Sequence, residues 1–262
     1  RSMEVNASIN RNSQYKKNID DANSWIDMTD EALGELGDYL QRLSELVNAA
    51  ANTATNSDEE YLAYKDEVQQ IAKGMIDVGN TNLNGKYIFG GHKTKEPPFV
   101  VVETYDPKNG PKYGPIDYVG EDGSSPDSKD KGLIMREISP KVSLDINVTG
   151  DRIMSDGSHD LDVVLGSILS DMNTANASKL INELRDNILN LRAEVGAKSN
   201  RLKAASANNE SYNYNMTKVL TKIEDIDVTQ KAMETKVAEA VYTSSLMVGA
   251  KVLQPSLLDF LR

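Results

Sequence analysis

Cysteine is absent from the 262 residues, which excludes disulfides, thiolate nucleophiles and cysteine-based zinc sites and leaves the redox compartment undecided. Imidazole is nearly absent as well. His92 and His159, one in a turn and one just before a helical pattern, offer too little material for a catalytic triad or a multi-histidine metal site. Three phenylalanines and one tryptophan leave the core to Leu, Ile, Val, Met, Tyr and Ala, a set that suits thin helical packing. No run of about 18 apolar residues occurs, and residues 1–12 lack the apolar stretch of a cleaved signal. Any export therefore uses another route. Basic charge is in deficit, with 29 residues against 40 acidic ones. The net charge of -11 repels nucleic-acid backbones and anionic membranes, so protein partners are expected, without nucleic acid and without membrane insertion.

What is present is helical periodicity. Ile19, Ala22, Ile26, Thr29, Leu33, Leu36, Leu40, Leu43, Val47 and Ala50 alternate three- and four-residue steps, which predicts one apolar stripe along a long helix. Residues 53–57 break the pattern, and Ser57-Asp58-Glu59-Glu60 reads as a capping box that starts a second helix. Tyr61, Tyr64, Val68, Ile71, Met75 and Val78 repeat the steps, so the second helix lays its stripe back on the first.

From Asn80 the texture changes. Asn84-Gly85 suits a tight turn before Lys86-Tyr87-Ile88-Phe89, and residues 97–102, 116–119, 133–138 and 142–148 read as short strands separated by Gly- and Pro-rich stretches. After Gly157, residues 160–172 read as a short helix. From Ala177 the steps run through Ile181, Leu184, Ile188, Leu191, Val195, Lys198, Leu202, Ala205, Asn209, Tyr212, Met216, Val219, Ile223 and Ile226, then on through Met233, Val237, Ala240, Ser244 and Met247. A single helix over 177–253 would span roughly 115 Å at about 1.5 Å per residue. The expected fold is mainly α with a β-rich insertion (α+β): a long antiparallel, coiled-coil-like helical rod. Its parts are residues 1–79, a β-rich middle at 80–157 facing outward, and residues 158–262 ending in an assembly segment.

Chemistry finds little footing. Acidic neighbours such as Asp20-Asp21, Asp58-Glu59-Glu60 and Asp225 with Asp227 fall on helix starts or faces, where solvated charge and dipole pairing explain them. Residues 106–110 resemble a calcium loop in composition but lack its alternating oxygen ligands and terminal glutamate, so they read as a turn. Gly90-Gly91 has neither a dinucleotide fingerprint nor a phosphate-loop lysine. No catalytic residue, cofactor or metal is expected. The apolar stripe instead continues where nothing upstream of Ile19 is long enough to cover it. Met233, Val237, Val241, Met247, Leu257, Leu258, Phe260 and Leu261 are the candidate assembly surface.

The run Asn80-Thr81-Asn82-Leu83-Asn84-Gly85-Lys86-Tyr87-Ile88-Phe89-Gly90-Gly91, followed by Pro97-Pro98-Phe99, resembles the signature of the hook-associated protein 3 family within the flagellin superfamily. Asn80, Thr81, Gly85, Tyr87, Phe89, Gly91, Pro98 and Phe99 carry the likeness, while Gly90 stands where an alanine is common and His92 follows as a second departure. Glu224-Asp225-Ile226-Asp227 and Ser256-Leu257-Leu258-Asp259-Phe260-Leu261 are similar to the C-terminal end of flagellins. The resemblance implies a non-enzymatic subunit, exported to the outside of the cell through the flagellar type III apparatus with an export chaperone. It implies assembly as a ring of its own copies between hook-associated protein 1 and flagellin. It also implies an N-terminal helix paired with the C-terminal one. The chain starts at Arg1 without an initiator methionine, so a trimmed form is expected. A true flagellin would lack the Tyr87 to Gly91 and Pro97-Pro98-Phe99 arrangement. A type III needle-tip or translocator-like protein of the membrane-entering kind would need a longer apolar segment, and a stalked ligand-binding module would need a deep polar-lined pocket.

Overall fold

The apolar steps of the first segment close into α1 (Ser2–Ala51), 50 residues long, and its buried positions include every member of the stripe from Ile19 to Ala50. The computed structural model describes residues 1–51, 58–101, 116–120, 132–155, 160–170, 176–225 and 228–258. They fall into two units, one made of Arg1–Asn10 with Asn213–Arg262 and the other of Arg11–Tyr212.

In the second unit α2 (Asp58–Gly79) returns along α1: Arg42 pairs with Glu67 at 2.7 Å, and Gly74 leaves the room that the Tyr39 phenol fills. The C-terminal helix α5 (Ala177–Glu224) runs antiparallel to α1, as the pairs Asn12 with Asn209, Lys16 with Glu210 and Asp30 with Arg192 show. Between these helices lie β1 (Asn82–Leu83) with β2 (Lys86–Tyr87), β3 (Phe99–Val101) with β4 (Ile116–Tyr118) and β5 (Met135–Ser139) with β6 (Val142–Asp145). Each pair is an antiparallel two-stranded ladder of its own. They lead to α3 (Gly150–Met154) and α4 (Leu161–Ser170). One hydrophobic cluster joins α1, α2, α4, α5 and the inward faces of the ladders.

The polar members of the stripes bond within the second unit, although among the described residues the buried Asn209 carboxamide oxygen has no partner. The Thr29 hydroxyl donates to the Trp25 carbonyl one turn back at 2.8 Å, a bond that spares a buried hydroxyl from desolvation without a partner. Lys198 is buried against Asp145 and, at 3.0 Å, Glu194. The Asn209 amide donates to the side chain and backbone of Asn12, whose own amide returns a bond to the Asn209 carbonyl.

Three expectations need correction. The helix expected to run unbroken over 177–253 ends as α5 at Glu224 and restarts as α6 (Val228–Leu258). Acidic residues at 224 and 225 oppose the negative end of a helix dipole, and the β-branched cluster Ile226, Val228 and Thr229 propagates a helix poorly. Pro255 does not stop α6, which continues to Leu258. The strand expected over 86–89 is a strand only at Lys86–Tyr87; Ile88 still donates to the Thr81 carbonyl at 3.1 Å, in register with that ladder, and sinks with Phe89 into the core. The strand expected to reach Val148 stops at Asp145. Beyond it the buried Asn147 side chain takes over the ladder, accepting from Ile134 N–H at 2.7 Å and donating to the Gly132 carbonyl at 2.8 Å. The Ser57 cap, the turn at 106–110, residues 121–131, His159, Ile226 and Asp227 lie outside the described residues.

Candidate assembly site

The signature residues Asn80 to Phe99 converge on one knot. α2 ends where Thr81 folds back, its hydroxyl donating to the Val78 carbonyl at 2.7 Å, and the Asn80 carboxamide then reads the backbone of Phe99 twice. It accepts from Phe99 N–H at 2.9 Å and donates to the Phe99 carbonyl at 2.8 Å, the pattern a neighbouring strand would supply. Asn84 and Gly85 have φ of 54° and 79°, the left-handed pair that a two-residue hairpin turn requires. Tyr87 N–H donates to the Thr94 carbonyl, and the Gly91 φ of 62° returns the chain towards the Pro98-Phe99 strand.

Phe89 is fully buried, and its carbonyl accepts both Gly150 N–H at 2.9 Å and the Tyr118 hydroxyl at 3.1 Å. The Phe99 and Tyr118 rings meet at 5.3 Å, tilted by 54°, while Pro98 accepts from Val119 N–H. Gly79 and Gly150 close over these rings: a Cβ on Gly79 would stand 2.6 Å from the Phe99 ring, and one on Gly150 would strike Tyr118 and Phe99. Asn80, Thr81 and Phe99 thus fasten the end of α2 to β3, and Gly85 and Gly91 supply the turns between them. Tyr118, Gly79, Gly150 and Asn147 belong to the same region and escaped the sequence reading. A glycine beside an aromatic partner far along the chain is visible only once the two are in contact.

A second fastening ties the insertion to α5. Arg152 forms a forked ion pair with Glu194, the shorter arm at 2.7 Å, and Asn187 donates to the Arg152 carbonyl at 2.8 Å. The Arg152 hydrogen bond, against the opposing pull of burial and aided by Lys198, holds the Glu194 carboxyl well below the usual carboxylate range, at about 2.

α6 stands in contrast. Every residue from 229 to 251 is exposed, and Met233, Val237, Val241 and Met247 are 62%, 57%, 60% and 69% exposed. Leu257 and Leu258 close the helix, whereas Phe260 and Leu261 lie outside the described residues. The openness begins within α5, for Tyr212, Val219 and Ile223, expected under cover, are exposed. The first turns of α1 are mostly polar, with Val5 and Ile9 half-buried.

His92 is exposed and its Nε2 lies 3.1 Å from the Leu133 carbonyl oxygen. Asp20, Asp21, Glu59, Glu60 and Asp225 are exposed. Among the described residues, no three His, Asp or Glu side chains gather to hold a metal, and no helix is long and apolar enough to cross a membrane.

The two helical ends decide the family. Residues 1–94 match the bacterial flagellin N-terminal helical region, and residues 178–261 match the bacterial flagellin C-terminal helical region. The chain belongs to the flagellin superfamily. Among flagellin-superfamily relatives, the Escherichia coli K12 flagellar hook-associated protein 3 is 23% identical over 248 residues, covering 83% of this chain and 71% of that one. Bacillus subtilis flagellin is 25% identical over 238 residues, covering 83% and 69%. The flagellin-type fold here is also similar to the crystal structure of hook-associated protein 3 from Legionella pneumophila, with a TM-score of 0.72 at 15% identity, over 87% of this chain and all of that one. The Bacillus cereus FlgL structure follows at 0.59 and 21%, over 82% and 97%.

Proposed function

We propose that the protein is a structural subunit of the bacterial flagellum at the hook–filament junction and that it has no catalytic role. The observation that carries this reading is the knot of Asn80, Thr81, Gly85, Tyr87, Phe89, Gly91, Pro98 and Phe99, because it gives the family signature a physical purpose. A junction must pass torque from one tube to the next. Long packed helices braced by a fastened insertion can do so, whereas a loosely hinged insertion would dissipate the load.

In this reading copies of the chain form a ring between hook-associated protein 1 and flagellin, after export with a chaperone and without a cleaved signal, and work outside the cell. Residues 80–157 act as an outward module between the helical parts 1–79 and 158–262. The face of Met233, Val237, Val241, Met247, Leu257, Leu258, Phe260 and Leu261 is the assembly surface, covered by other helices of the polymer. Burial of apolar area stabilises by about 25 cal/mol per Å², so a face this open gains substantially from a partner. The test is complementation: a full-length form should restore filament attachment, by electron microscopy, to a strain lacking its junction protein. Detached filaments despite normal export would refute the role.

A second reading, a filament subunit, is favoured by the 25% identity to Bacillus subtilis flagellin. Purified full-length protein that elongates into filaments from seeds would establish it in place of the junction role.

A further inference from the structure

The protein carries a net charge of -11, yet one end of its second unit is basic. Residues 11–17 of α1, 138–143 at the β5–β6 turn and 199–209 of α5 hold Arg11, Lys16, Lys17, Lys141, Arg201 and Lys203 and no carboxylate. They lie together, since Asn12 bonds to Asn209 and both line one cavity with Ile138 and Arg201. The cavity measures about 400 Å³. Its wall is mostly apolar, from Ile138, Pro140, Val142, Ala205 and Tyr212, and Arg201 is its one charged member. Val142 and Tyr212 are 36% and 44% exposed, so part of this wall faces water. Glu210 answers Lys16 at 3.4 Å, whereas among the described residues the Arg201 guanidinium has neither ion pair nor hydrogen bond.

The opposite charge collects at the far end of the same unit. Between Asp27 and Glu45, α1 has six carboxylates and a single cation, Arg42, which is already paired with Glu45 and Glu67. The α2 helix adds Glu59, Glu60 and Asp66. From Asn12 to Glu45 the helix covers roughly 50 Å at about 1.5 Å per residue, so the two charges are held well apart. Leu62 stands among the acids. It is 61% exposed, and among the described residues it is the one large apolar side chain exposed on α2 or on α1 beyond Asn10. Glu59 and Asp66, three residues before it and four after, share its helix face.

We infer that these two ends meet in a head-to-tail contact between copies of the chain, in which Leu62 of one copy enters the cavity of the next and Glu59 and Asp66 face Arg201. Two copies of charge -11 repel in most orientations. The orientation that sets the basic end on the acidic end is the one that attraction favours. Leu62, Val142 and Tyr212 then leave water together, which stabilises the contact further. A contact between two unlike patches leaves one end of each copy free, so it repeats along a line of copies. It adds a lengthwise contact to the self-assembly proposed above and rests on that reading only in that copies meet.

The chain has no cysteine, so Ala63→Cys in one copy and Asn208→Cys in another supply the only thiols in a mixture of purified full chains. A short bis-maleimide should join the unlike copies well above the yield of either variant alone, and less so at high salt, where charges are screened. Arg201→Glu in the Asn208→Cys copy should lower that yield about tenfold or more, since like charges then face each other across the contact. Asp66→Arg in the Ala63→Cys copy should lower it in the same direction. Mixing the two reversed copies should recover most of it, a gain that misfolding cannot produce. The inference is overturned if the unlike product stays at the level of the single variants, if Arg201→Glu leaves the yield unchanged, or if the two reversed copies together do not recover it. Association that proceeds without this product overturns it too, because the copies then meet elsewhere. The yield is read on purified protein, so its failure leaves the complementation result standing, and a failed complementation leaves this contact standing.

Discussion

α5 between Ile181 and Leu202 and α6 between Met233 and Val248 carry apolar side chains at helical spacing, yet the first is sealed and the second lies open. The apolar residues of α6 are spread more widely around their helix, with Tyr242, Leu246 and Met247 exposed beside Met233, Val237, Val241 and Val248. The company differs as well: the α5 stripe has α1 along its length, with polar intruders such as Lys198 and Asn209 each matched to a resident partner. The ion pairs of α6, Lys231 with Glu234 and Lys236 with Glu239, lie within the helix itself. Periodicity states that a helix face needs cover, and says nothing about which molecule provides it.

A charge in the sealed stripe should produce the largest effect. Leu43 is fully buried in α1, so Leu43→Asp should cost several kcal/mol, the usual penalty for burying an unpaired charge, and abolish a cooperative thermal transition. A wild-type melt would refute the packed hairpin. Phe99→Ala removes the ring enclosed by Gly79, Gly150 and Tyr118 and should cost about 3–5 kcal/mol in urea unfolding. Asn80→Ala, which leaves the backbone of Phe99 without its two partners, should cost about 1–3 kcal/mol. If it is neutral, water replaces the carboxamide and the signature asparagine has another purpose.

Acid separates the charged fastening from the apolar one. The Glu194 carboxyl is depressed when folded, to about 2, against an ordinary value of 4.5. Its contribution is therefore fully present above about pH 4.5 and is lost as pH falls towards 2. Glu194→Gln should flatten that part of the stability curve and leave the curve above pH 5 with the same slope; an unchanged acid limb would show that Arg152 and Lys198 do not hold it. The smallest effect on stability belongs to α6. Val241→Asp should shift unfolding by no more than about 0.5 kcal/mol, as exposed substitutions do, while reducing filament attachment in complemented cells. Equal loss of stability and attachment would erase the contrast between the two helices.

The covered stripes of α1 and α2, the Asn84-Gly85 turn and the family signature were legible because each rests on local spacing or on a backbone conformation that few residues adopt. The break after Glu224 was also written in the acidic and β-branched run, but a continuous apolar register masked it. The short β ladders were harder to delimit. A side-chain amide, at Asn80 or Asn147, substitutes for a strand there, and no periodicity announces such a bond. By itself the sequence determined the helical class, the turn positions and the surplus of apolar surface near its end, since these follow from residue type and step. Only the tertiary structure decided that Gly79 and Gly150 serve Phe99, that Lys198 lies beside Asp145 and Glu194, and that Ile138 and Tyr212 share a cavity. These depend on residues separated by tens of positions meeting in space, where steric fit and electrostatic pairing act.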